Sequence, residues 1–141
     1  MATFNKFNQF VEDLAHQVHD FDADTFKILL TNTAPSASNA VKGDLTEISA
    51  GNGYTAGGTA SAKTSSSETS GTYKAVYGDV VFTASGGSIG PFRYAVMYND
   101  TPTSPADPLV GYWDYGSSIT LADGETFTVD LSASNGVIQI S

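Results

Sequence analysis

Two histidines, His16 and His19, stand three residues apart with Asp13 and Asp20 beside them. On a helix that spacing puts both imidazoles on one face, where they could share a metal ion with a carboxylate. The pattern fixes no third ligand, so the pair reads as a solvated polar face and no metal or cofactor is expected. These are the only histidines, and no serine sits in a strand-turn-helix elbow, so a Ser-His-Asp hydrolase is not indicated. Asp114, between Trp113 and Tyr115, is the carboxylate to weigh for sugar chemistry, because aromatic rings stack on sugars. In a strand, however, Asp114 alternates with its neighbours and faces the other side of the sheet. Core or strand-end packing is the favoured reading, with Trp113 and Asp114 kept as candidate ligand contacts. GNGYTAG, residues 51–57, has the glycines of a phosphate loop without its Lys and Ser/Thr, and reads as a turn. DADTF and NDTPTSPAD offer oxygens to calcium without the acidic spacing of a dedicated loop. Nothing in the chain assembles into an active site, and no enzyme activity is expected.

The surrounding composition points the same way. The chain has 141 residues, the size of one domain, with 40% hydrophobic and 15% charged residues. The charged share is low against the roughly 25% of an average soluble protein, and Gly, Ser and Thr are abundant, a mix that favours short strands and turns. Six Lys plus Arg against 15 Asp plus Glu give a net charge of −9, and the basic residues are scattered, which argues against gripping a phosphate backbone. With no cysteine, stability rests on packing or assembly. The opening MATFNKFNQFVEDLAHQVHDF has no basic flank before an apolar core, and no run of about 18 apolar residues occurs, so neither a secretory signal nor a membrane contact is expected.

The elements that must position any site can be read from periodicity. Phe4, Phe7, Val11, Leu14 and Val18 recur every three or four residues, predicting an amphipathic helix over residues 1–20, capped by Thr3 and lying on an apolar partner. Residues 24–141 read as an antiparallel β-sandwich or jelly-roll-like fold. Phe26, Ile28 and Leu30 share one side of a first strand. TYKAVY, DVVFTA, PFRYAVMY, LVGYWDY, SSITL, ETFTVDL and VIQI follow, giving about eight strands. PFRYAVMY is apolar on both sides and reads as central, with Phe92, Tyr94, Val96 and Tyr98 on one of them. The Gly, Ser and Thr-rich stretch near 55–72 reads as a flexible polar segment, a mobile loop or an edge hairpin.

Register arguments extend this to the C-terminus. A three-residue loop, Ala122-Asp123-Gly124, would pair Ile119 with Phe127 and needs positive φ at Gly124. A two-residue loop at Asn135-Gly136 would pair Leu131 with Ile140. The expectation is a meander with Phe127, Val129, Leu131, Ile138 and Ile140 in the core.

MATFNKFNQFVEDLAHQVHDF, DTFKILLTNTAP, DLTEISAGNGYTAGG, FTASGGSIGPFRYAVMYNDT and LVGYWDYGSSITLADGETFTVDL together resemble small structural proteins of tailed bacteriophages and prophages, over nearly the whole chain. The resemblance implies a non-enzymatic virion component, above all a head decoration or cement protein on the capsid exterior, assembled in the bacterial cytoplasm. Its partners would be the major capsid protein and copies of itself, as a dimer or trimer, with no nucleic acid and no membrane. Phe4, Phe7, Val11 and Leu14 are the candidate assembly interface. A tail tube, tip or adaptor protein is the alternative, and a host-glycan-binding module using Tyr112, Trp113 and Tyr115 is the second.

Overall fold

The computed structural model describes residues 2–141, and the fold is mainly β with antiparallel sheets. In chain order the elements are β1 (Phe4–Lys6), α1 (Asn8–Ala15), β2 (Phe26–Thr31), a 3-10 turn (Lys42–Asp44), β3 (Thr59–Ser61), β4 (Lys63–Thr69), β5 (Thr72–Tyr77), β6 (Val80–Thr83), β7 (Ile89–Asn99), β8 (Leu109–Leu121), β9 (Thr126–Val129) and β10 (Ile138–Ile140). A five-stranded sheet runs β1-β8-β7-β2-β3, and two smaller sheets run β10-β5-β4 and β6-β9. The main core lies between the large sheet and the small ones: Phe26, Ile28, Leu30 and Met97 from the first meet Tyr77, Phe82, Val129 and Ile138 from the others. A second cluster, Phe7, Leu29, Val96, Tyr98 and Leu109, covers the opposite face of the large sheet. β7 is therefore buried on both faces, as its two-sided apolar sequence requires.

The helix is shorter than its periodicity predicts, and the reason lies at both ends. Residues 4–6 pair as β1 with β8, Phe4 opposite Trp113, so the first apolar position of the stripe belongs to a sheet edge. Phe7 takes the N-cap with extended φ and ψ and no side-chain cap, so Thr3 is not the cap; the Asn8 N–H instead donates to the Ala37 carbonyl. At the other end Gln17 is left-handed (φ 63), and Val18 N–H to Asp13 O with Gln17 N–H to Leu14 O closes a Schellman motif without glycine. The proposed interface stripe is accordingly split. Phe7 is fully buried and Phe10, outside the predicted stripe, is the helix's core aromatic. Phe4 and Leu14 pack partly against the main core, and Val11 is left 53% exposed. Of the four, Phe7 has no surface to offer a neighbour.

Of the two readings of the stretch near 55–72, a mobile loop or an edge hairpin, the edge hairpin is the one that forms. The stretch carries β3, β4 and the start of β5, with Ser70-Gly71 as a two-residue hairpin turn (φ 52 and 85) between the paired Thr69 and Thr72. β4, sequence KTSSSET, has mostly exposed side chains and forms the outer edge of its sheet. Glycines preceding it lock the chain against β2. Tyr54, buried, donates its hydroxyl to Glu47 Oε1 at 2.6 Å and accepts the Leu30 N–H at 3.0 Å, just past the point where β3 stops pairing β2. Burial, then the Glu47 hydrogen bond, pushes the Tyr54 phenol far above its ordinary range, so it stays a donor. Tyr54→Phe leaves the Leu30 N–H without its partner and should lower the unfolding free energy by about 2 kcal/mol in urea titration.

The C-terminal meander does not form. Gly124 does have positive φ (89), but the turn joins two sheets instead of two strands of one. Gly124 N–H donates to Ala84 O at 2.8 Å and Ala84 N–H to Glu125 O at 2.9 Å, tying the turn to the end of β6. Phe127 then pairs Phe82, while Ile119 pairs Phe92. Asn135-Gly136 likewise sends β10 onto β5, where Ile138 pairs Ala75 and Ile140 pairs Tyr73. Val129, Leu131 and Ile138 are buried as expected, Phe127 is half-buried, and Ile140 is 47% exposed. Turn length constrains register only if the two flanking strands are partners, and here each has a different one.

Candidate functional site

LVGYWDY and SSITL form one strand, β8, broken by a wide bulge. Asp114 pairs Tyr94 and Ile119 pairs Phe92, so Tyr115–Ser118 stand against Arg93 alone. Insertions of this kind bend a strand and re-aim its side chains. Gly116 takes φ 102 at the bulge, and its N–H donates to Asp114 Oδ1 at 2.8 Å. Opposite the bulge, Arg93 grips Asp114 with both arms, Nε to Oδ1 at 2.8 Å and Nη2 to Oδ2 at 3.0 Å. That hydrogen-bonded pairing, with the Gly116 N–H second, holds the Asp114 carboxyl below the usual carboxylate range. A carboxylate kept charged with both oxygens engaged is poorly suited to general acid work.

Between β8 and β9 the surface opens into a cleft of about 400 Å³ lined by Arg93, Trp113, Tyr115, Phe127 and Asp130, with Ala95 and Val129 also contributing. Tyr115, lifted by the bulge and 51% exposed, stacks on Phe127 with centroids 5.5 Å apart and planes 23° from parallel. Phe92 meets Phe127 edge-on at 4.9 Å, and Phe4 supports Trp113 at 5.2 Å. Of the two candidate ligand contacts, Trp113 lines the cleft, whereas Asp114 acts behind it by fixing Arg93. Tyr112 leaves the group altogether and packs on Phe7 at 5.3 Å, on the other face of the large sheet. Arg93, Phe127 and Asp130 were not legible as partners, because the first faces a bulge and the other two arrive on and just after β9, a strand of another sheet.

The histidine pair is pulled apart by the early end of α1. His16 is exposed beside Glu12, 3.8 Å away. His19 is buried between Phe10, Phe21 and Phe26, so it does not belong to a solvated face. Its Nδ1 lies 3.3 Å from Asn99 Nδ2, which also donates to Asp24 Oδ2 at 2.6 Å. Among the described residues no group of three or more His, Cys, Asp or Glu is placed to hold a metal ion. The acidic turn engages its own backbone: Asp20 Oδ1 accepts the Asp22 and Ala23 N–H groups, and Asp24 Oδ2 accepts that of Asp20.

The architecture is thus that of a mainly β, sandwich-like protein with an aromatic cleft between β8 and β9. Compared with family models, curated proteins and solved structures, the chain matches none of them.

Proposed function

We propose that the chain is a structural protein of a tailed-bacteriophage particle, most specifically a decoration protein that binds the outside of the assembled head and reinforces the capsid lattice. The observation that supports this reading best is β4. Seven residues of polar strand lie at an open sheet edge, most Ser and Thr side chains exposed and one backbone side without a partner strand among the described residues. Such an edge accepts an added strand from a neighbour, a mode in which main-chain hydrogen bonds supply affinity. Val11, Val81 and Ile140, each about half exposed, add separated apolar points of contact. On a symmetric lattice many modest contacts of this kind sum through effective concentration. The net charge of −9 suits a protein that meets capsid exterior and not packaged DNA.

The test is binding to purified, undecorated capsids. Co-sedimentation at a fixed stoichiometry, with heat-induced rupture of the capsid moved to higher temperature, is the expected result. Rings or stacks of the free protein, with no capsid binding, would assign it to the tail instead.

A further inference from the structure

We infer that the cleft between β8 and β9 is a binding site for a neutral saccharide. The inference is independent of where the protein sits on a particle. Three aromatic side chains, Trp113, Tyr115 and Phe127, contribute to one concave surface, and Tyr115 is left half exposed although a strand must bulge by several residues to hold it there. A residue that served only the core would be buried by a regular strand at less conformational cost. The volume, about 400 Å³, falls in the range of small-molecule sites.

The polar groups beside the rings fit hydroxyls. Arg93 commits Nε and Nη2 to Asp114, while its Nη1 makes no hydrogen bond to the described residues and remains a donor. Asp130 supplies an acceptor on the same lining. A pyranose ring presents that combination, an apolar C–H face for the aromatics and adjacent hydroxyls that both give and receive hydrogen bonds. Charge selects among sugars. Arg93 is neutralised by Asp114, Asp130 leaves the cleft negative, and the whole chain carries −9, so a uronate or sialate would be repelled.

Trp113 is the chain's one tryptophan, so its emission reports on the cleft without interference. The full chain would be titrated with maltotriose, chitotriose, a neutral galactotriose and, for contrast, trigalacturonate, each to about 10 mM, a range that covers millimolar affinity. A saturable change in emission with at least one neutral trisaccharide and none with trigalacturonate is expected. Tyr115→Ala should weaken that response about tenfold while the protein stays folded, with only the small fall in melting temperature that loss of its stacking on Phe127 entails, and Asp130→Asn should weaken it severalfold. Silence with every neutral trisaccharide, a stronger response to trigalacturonate, or a response indifferent to both substitutions would overturn the assignment. Capsid binding is read separately, so failure here leaves the decoration reading standing, and the reverse.

Discussion

Gly58→Ala is expected to destabilise the fold by about 4 kcal/mol or more, a large fraction of the stability of a typical domain. Gly58 has φ 79, and a Cβ there would lie 1.9 Å from the Ile28 carbonyl oxygen and 2.8 Å from Leu29 Cα. All of those atoms are backbone of β2, the strand between β3 and β7, so none can rotate away. Gly71 supplies the comparison. It has φ 85 with nothing within 4 Å of an added Cβ, so Gly71→Ala should cost only the left-handed penalty, about 1 kcal/mol. Urea titrations of both variants separate overlap from conformation. Equal losses would show that the approach of GNGYTAGG to β2 is unimportant.

The second large effect is on acid stability. Burial, opposed by the nearby charges of Asp13 and Asp24, lowers the His19 pKa from 6.5 to about 4. Its Nε2, like Asp13 Oδ2, is buried without a hydrogen-bond partner among the described residues. Between those two pH values the unfolded chain binds a proton that the folded chain refuses, so stability is full above pH 6.5 and falls as pH drops toward 4. The loss through this one group is about 3 kcal/mol over the window. Denaturant melts at pH 7.0 and 4.5 should show it, and His19→Gln should remove most of the difference while costing some stability at neutral pH. An equal acid loss in the variant would assign it to the carboxylates.

How much of this was legible in the sequence depends on which forces set each element. β2, β5, β6 and β7 announce themselves because alternation and β-branched residues report burial directly. β4 was legible only as one of two alternatives, a loop or an edge hairpin, because KTSSSET buries almost nothing and leaves no hydrophobic period to decide between them. β1 escaped because three residues of a sheet edge happen to continue a helical spacing. The positive φ of Gly124 was readable, since a local turn demands it, but the partner of β9 was not, because strand pairing across sheets is decided by packing far away in the chain. The cleft followed the same division. Trp113 could be nominated by its type, whereas Arg93 and Phe127 join it through a bulge and a change of sheet. His19 shows the cost of reading spacing alone: the left-handed Gln17 turns it inward, and no glycine marks the place.

A decoration protein occupies a defined position on the particle, and imaging reads that position. Phage particles carrying this chain with a small electron-dense tag should be examined by cryo-electron microscopy. On a decoration protein the tags should lie at regular lattice points over the outside of the head, at many copies per particle. Tags confined to the tail, or particles without any, would contradict it.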